Sequence, residues 1–422
     1  MISYDAAQQH ILSACQPLAA ETVAVAAALD RVLASDVVSG EDLPSFDNTA
    51  MDGFALATGG RELAEGNEFV VLGSHAAGDG DASCDAGHAC EIMTGASLPA
   101  GLDAVLPVEQ ATVLARDANG RPSRIRLDTA VAPGAHVRRR GQDVAAGQTV
   151  LVAGTRITPA ARMLLAALGV AEVAVRPQVP VALLTTGREL VDDPRQPLAP
   201  GQIRNSNRPY LSDRLAQAGA RVVHGETVPD DPALFVEALA RGLAAGARVV
   251  LSTGAVSMGR HDFVPDALRG LGARIVFHKV AIRPGKPLLF ARLAGGELFF
   301  GLPGNPVSSA VGLRFFVEPA LRAMLGLAPE RPLLVPLAAA AQKKPGFRFL
   351  QKARVALASR GQLQVQLLAG QESFRIQPLL SANAWAVLDE DAVQVPAGTP
   401  VAVYGLDGEG ILLRALEDMD GH

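Results

Sequence analysis

Between Val179 and Leu325, short apolar runs alternate with helical stretches, and no other feature constrains the chain as strongly. Val179–Leu184, Arg221–His224, Arg248–Ser252 and Arg274–Lys279 read as strands. Helices are predicted over Asn207–Ala218, Asp231–Ala245 and Phe263–Leu271, and a long one from Asn305-Pro306 to Leu325. Gly295-Gly296 within Leu288–Phe300 predicts a hairpin. Strands alternating with helices of this length predict an α/β fold with a parallel, doubly wound sheet.

The flanking regions read differently. A helix is predicted over residues 3–15, with Ser3 as cap, and a second, Ala-rich helix over Glu21–Leu29. From Leu43 to about Ala135, short apolar runs broken by Gly, Asp and Pro predict strands and turns. Thr158-Pro159 opens a helix that Gly169 closes, and Val170–Val175 follows as a strand. After a Pro-rich break at Pro329–Pro336, the remainder to Leu416 reads as a small antiparallel β domain.

Composition sets the outer limits. At roughly 150 residues per domain, 422 residues suggest about three domains. With 49% apolar and 19% charged residues the chain can bury large cores, and 42 glycines with 28 prolines announce many turns. A net charge of −5 and only 4% aromatic residues argue against a nucleic-acid-binding surface. Cys15, Cys84 and Cys90 are too few for a disulfide framework, and Cys84, His88 and Cys90 lack the paired spacing of a zinc site. No apolar run approaches the ~18 residues of a membrane span, and Met1–Gln16 lacks a basic leader, so a cytoplasmic protein is expected.

In a doubly wound sheet ligands bind at the carboxyl ends of the strands. Three loops there are unusual: Thr185-Thr186-Gly187-Arg188-Glu189, the segment from Ser252 through Gly254 and Ser257 to Asp262, and Gly301-Leu302-Pro303-Gly304-Asn305-Pro306. Glycines bring backbone N–H groups close to a ligand, which suits phosphate or another oxyanion. Neither a GxxxxGK[ST] nor a GxGxxG after a strand is present, so this is not a common nucleotide motif. Lys279, Arg283 and Lys286 place three cations around one turn, as an anion clamp would. Glu189, Asp230, Asp231 and Asp262 recur at loop positions that suit Mg²⁺, although Asp231 also fits as the cap of its helix. No HExxH occurs, which disfavours a hydrolytic zinc site. Outside this domain, Asp47–Ala55 gathers two carboxylates, an amide and a hydroxyl beside a Gly. Ile92–Ala96 turns abruptly from apolar to polar, and Arg138–Asp143 is a basic run ending in an acid.

Eight ordered motifs carry a resemblance: DNTAMDGFA at 47–55, IMTGASLP at 92–99, RRRGQDV at 138–144, TTGREL at 185–190, GQIRNSN at 201–207, STGAVSMGRHD at 252–262, KVAIRPGKP at 279–287 and GLPGNPVSS at 301–309. The chain resembles the MoeA-type molybdopterin molybdenumtransferases, which are related to the C-terminal part of gephyrin. The resemblance covers almost the whole chain. It implies four parts: a discontinuous, elongated domain I (1–40 and 137–176), a β-rich insertion (41–136), a MogA-like α/β domain (177–329) and a small C-terminal β barrel (330–422).

It also implies a homodimer whose active site joins the α/β domain of one subunit to the insertion of the other. The implied reaction inserts molybdate into adenylylated molybdopterin, with Mg²⁺, releasing AMP. A molybdopterin adenylyltransferase would precede the step and molybdoenzyme acceptors would follow it. Asp52, Thr94, Arg138, Asp143, Glu189, Asp262, Lys279 and Arg283 are the implied catalytic set. Ser252, Gly254, Ser257, Lys286, Pro303, Gly304, Asn305 and Pro306 would bind substrate, and Glu189, Asp230, Asp231 and Asp262 the metal. Arg188, Ala255 and Arg260 depart from the commoner pattern of an acid, a Gly and an acid, and Arg283 replaces a Lys. Two other readings are an adenylyltransferase, against which the extra domains argue, and a non-catalytic gephyrin-like scaffold.

Overall fold

The computed structural model describes residues 1–255, 263–358 and 361–408. Its centre is a six-stranded sheet in the order Ala220–Val228, Val179–Thr186, Val249–Thr253, Leu298–Leu302, Leu289–Arg292 and Arg274–His278. The first four strands run parallel, and the hairpin strand Leu289–Arg292 runs antiparallel to both neighbours. Val179, Val181, Leu183, Val249, Leu251 and Phe300 face one core, and Ala182, Leu184, Val250 and Phe299 the other. That two-sided burial is why these strands read as continuous apolar runs.

The predicted helices form at Asn207–Gln217, Pro232–Ala244 and Val264–Gly270. The long helix is interrupted: Pro306–Gly312 and Glu318–Met324 are α-helical, and Leu313–Val317 between them is a π-turn. Within it Phe315 and Phe316 are both buried, in edge contact with the Tyr4 ring. Tyr4 opens the first helix, Tyr4–Ala14, whose Ala7 and Ile11 enter the same core.

The helix expected over Glu21–Leu29 does not form. Glu21–Ala24 is a strand paired antiparallel with Glu172–Arg176, and only Val25–Ala27 turns, as a 3₁₀ helix. A partner strand from far along the chain overrides local helix propensity. Strands between Gly53 and Leu127 build a second six-stranded sheet over Phe54, Leu56, Leu106, Ile125 and Leu127. The C-terminal strands Leu333–Pro336, Arg348–Leu357, Leu363–Leu367, Ala384–Leu388 and Pro400–Gly405 pair antiparallel. Ile282–Arg283, from the cation turn, adds to them as a parallel edge strand beside Arg348 and Phe349.

Candidate functional site

The three loops do converge at the carboxyl ends of the parallel strands. Gly254 has φ +88°, and a Cβ there would lie 2.7 Å from the Thr186 carbonyl oxygen, so the second loop passes directly over the first. Gly304, in the third loop, sits against Gly254 Cα. Thr186 Oγ1 donates to the Thr253 carbonyl at 3.0 Å, and the Gly254 N–H to the Leu302 carbonyl at 3.1 Å. Ser252 is fully buried, and its Oγ has no hydrogen-bond partner among the described residues. Ala255 carries φ +50°, a left-handed backbone where the commoner pattern has Gly. Ser257, Arg260 and Asp262 lie outside the described residues.

Glu189 is half-buried, its carboxylate folded against Gly187, where a Cβ would meet it at 2.7 Å. The Arg188 N–H donates to Asp230 Oδ2 at 3.4 Å, which places Asp230 on the neighbouring loop. Arg188 itself points into solvent. Asp231 Oδ1 caps helix Pro232–Ala244, accepting from Ala233 N at 2.8 Å and Leu234 N at 3.1 Å. Among the described residues, no three His, Cys, Asp or Glu side chains cluster as a metal cage. Cys84, His88 and Cys90 accordingly form none, and Cys90 packs with Ile92 and Val105 in an apolar cluster.

The motif at 201–207 carries a role that its residue types alone did not disclose. Asn205 Nδ2 donates to Thr185 Oγ1 at 2.8 Å, Asp192 Oδ1 at 2.9 Å and Thr227 Oγ1 at 3.1 Å, which ties the first loop to two strands. Asn207 Nδ2 donates to the Gly304 carbonyl at 2.8 Å and so holds the third loop. The polar run IRNSN, between a turn and a helix, was the available signal.

The cation turn lies beside Pro303 and Asn305 in a cavity of 940 Å³, with Arg283 and Lys286 on its wall. Lys279 stands at φ +85°, a strained backbone of the kind found at ligand clamps. Pro306 begins the helix as its first-turn proline, and Ser309 Oγ donates to the Pro303 carbonyl to fix the turn before it.

A second group of motifs meets in residues 41–144. Asn48 pairs with Arg138 and bridges to Ser97, and Thr49 exchanges backbone bonds with Gly95 and Ala96. Asp52 Oδ1 accepts from Thr94 N at 2.6 Å and Thr94 Oγ1 at 2.7 Å. These bonds hold the Asp52 carboxyl below its ordinary range. Asp47 is lowered likewise, by the Arg140 N–H at 2.8 Å and the Arg139 guanidinium at 2.6 Å. Arg138 and Asp143 are both exposed, and the Asp143 N–H is bonded to the Leu43 carbonyl. Three motifs far apart in the chain thus form one polar surface.

The fold and these sites define a multidomain α/β protein with a cleft at the carboxyl ends of its parallel strands, walled in part by Arg283 and Lys286. Residues 2–169 match the MoeA N-terminal region (domain I and II), 182–323 a probable molybdopterin binding domain, and 335–406 the MoeA C-terminal region (domain IV). The molybdopterin molybdenumtransferase of Synechococcus elongatus is 40% identical over 414 residues, covering 96% of this chain and all of that one. Molybdopterin molybdenumtransferase 2 of Mycobacterium tuberculosis is 37% identical over 406 residues, 94% of this chain and 96% of its own. The crystal structure of the molybdopterin biosynthesis MoeA protein of Pyrococcus horikoshii OT3 superposes with a TM-score of 0.79 at 26% identity. It covers 96% of this chain and 99% of that one. This chain belongs to the MoeA family.

Proposed function

We propose that the chain works in molybdenum cofactor biosynthesis as a transferase, inserting molybdate into adenylylated molybdopterin and releasing AMP. The observation that carries this reading is the convergence of three close-packed loops and the cation turn at one end of the sheet, in a chain whose relatives are named molybdopterin molybdenumtransferases. Both substrates are anionic. Lys279, Arg283 and Lys286 would hold molybdate and the pyrophosphate, and stabilise the charge that develops on the AMP phosphate as its anhydride bond breaks. Ser252, Gly254, Ser257 and the Pro303–Pro306 turn would donate to the remaining oxygens.

Glu189, Asp230 and Asp262 would offer the kind of oxygen ligands that Mg²⁺ takes, and the ion would neutralise the pyrophosphate when bound. Asp231 would serve this set through the helix it caps. The surface bearing Asp52, Thr94, Arg138 and Asp143 would close the cleft of a second copy, making the active unit a homodimer. A molybdopterin adenylyltransferase would supply the substrate, molybdoenzymes would accept the product, and the cytoplasm would be the site of action. No helix among the described residues is long and apolar enough to cross a membrane.

The test supplies purified protein with adenylylated molybdopterin, Mg²⁺ and molybdate, and follows AMP and finished cofactor. AMP release that requires molybdate is the expected result. ATP-dependent adenylylation of free molybdopterin would instead assign the preceding step. A folded dimer with neither activity would leave a scaffold.

A further inference from the structure

The far wall of the 940 Å³ cavity is made by the C-terminal β domain, and its chemistry differs from the loop side. The chain is only 4% aromatic, yet Phe347, Phe349 and Phe374 all line this one cavity. Phe374 is 64% exposed. An apolar ring left in water on a loop asks for a reason, and the loop that carries it is firmly held. Lys352 is completely buried, and its Nζ donates to the Gly370 carbonyl at 2.6 Å and the Arg375 carbonyl at 3.0 Å. Gln371 bonds both ways with the Lys352 backbone. The Val307 N–H donates to the Ser373 carbonyl at 3.0 Å, which fastens the same loop to the helix after the third substrate loop.

The cations opposite are already arranged over aromatic faces. Lys286 Nζ lies 5.6 Å from the Phe347 ring centre and Arg283 Cζ 5.6 Å from that of Phe349. Lys343 Nζ lies 5.1 Å from the Phe349 ring centre and donates to the Phe347 and Glu390 carbonyls at 3.0 and 2.9 Å. Lys344 is exposed on the same rim.

We propose that this wall is a ring-binding subsite: Phe347 and Phe374 take the face of a flat nitrogen heteroaromatic ring whose phosphate is held by Arg283, Lys286 and Lys344. The inference rests on the proposed function, because the substrate there carries two such rings, a pterin and an adenine, on one pyrophosphate. Stacking is tolerant of ring identity, since every such ring has a π-face. Lys352 is then a positioning residue. It touches no ligand and sets the height of Phe374 through two carbonyls.

The test uses the full-length protein and three probes by calorimetry: AMP, a pterin monophosphate and inorganic phosphate. Phe374→Ala, at an exposed position, leaves folding intact. It should weaken at least one of the two ring-bearing probes by about 5- to 150-fold, the range of single stacking contacts. Inorganic phosphate should bind as to the parent. Phe374→Tyr should restore the ring affinity, and in the insertion assay Phe374→Ala should raise KM with kcat retained. Loss for AMP alone assigns the adenine, and loss for the pterin alone the pterin. Equal loss for inorganic phosphate, or no loss for either ring, overturns the subsite. Ring binding that depends on Phe374 in a protein without molybdate-dependent AMP release would sink the proposed function and keep the subsite. Molybdate-dependent AMP release in a protein indifferent to Phe374 would do the reverse.

Discussion

The α/β domain carries charge at both ends of its sheet, and the two ends handle it in opposite ways. At the amino end, near the Gly219 turn, Arg314 and Glu318 are each 3% exposed, and the helical run that begins at Pro306 brings them there. Arg314 donates to the Gly405 carbonyl at 3.0 Å and to Glu330 at 2.6 Å, and Arg214 pairs with Glu318. At the carboxyl end, Lys279, Arg283 and Lys286 form no ion pair with a described carboxylate, and Arg283 and Lys286 lie over the Phe349 and Phe347 rings. Buried charges must satisfy one another, because each is costly to leave alone. Charges that serve a ligand stay unpaired in water, where the cost is small. The first set is paired inside the fold, and the second, on the proposed function, is open to an anionic ligand.

That contrast can be broken by substitution. Glu318→Ala should cost about 3 kcal/mol in urea unfolding, because it takes a carboxylate from both Arg214 and Arg314 and leaves Arg314 with Glu330 and backbone carbonyls. Lys286→Ala should move stability by less than about 0.5 kcal/mol. It should nevertheless slow molybdate-dependent AMP release by about 100-fold or more. A variant pair behaving the other way round would erase the distinction.

Proton linkage sharpens it. Burial pushes the Glu318 carboxyl up to about 7, against the pull of Arg214 and Arg314. A raised carboxyl stabilises the fold below its ordinary value of 4.5, and that contribution fades as pH rises through 7. The parent should therefore lose melting temperature across that window relative to Glu318→Gln, and parallel curves would refute the assignment. On the insertion surface the sign is opposite. Thr94→Val removes one donor from Asp52, so its carboxyl should climb back toward 3.8 in an NMR titration. The smallest expected effect is at Ala255, where φ is +50°. Ala255→Gly should relieve that strain and stabilise by about 0.5–1 kcal/mol in urea unfolding, net of the added freedom of the unfolded chain.

Glu21–Ala24 shows where local reading stops. Its neighbours are rich in Ala, and a helix follows from propensity alone, but Glu172–Arg176 supplies a ladder that propensity cannot anticipate. The long helix after Asn305 is legible to within its π-turn, Leu313–Val317, whose residues are all buried. In the site, Gly254 and the cation turn were legible from residue type. Asn205 was legible only as a member of a polar run, since an amide there does not disclose the Thr185 and Thr227 hydroxyls it joins. Phe374 was invisible for the same reason, as one apolar residue in a loop without period.

By itself the sequence determined the alternation of strand and helix, the carboxyl-end placement of the three loops and the family. These rest on periodicity, Gly and Pro positions and motif order, all local properties of the chain. Only the tertiary structure decided that residues 47–55, 92–99 and 138–144 share one surface, that Ile282–Arg283 joins the C-terminal sheet, and that three phenylalanines face the cation turn. Each of those is a contact between segments far apart in the chain. Such contacts are fixed by which buried faces and unpaired backbone groups find partners when the cores close.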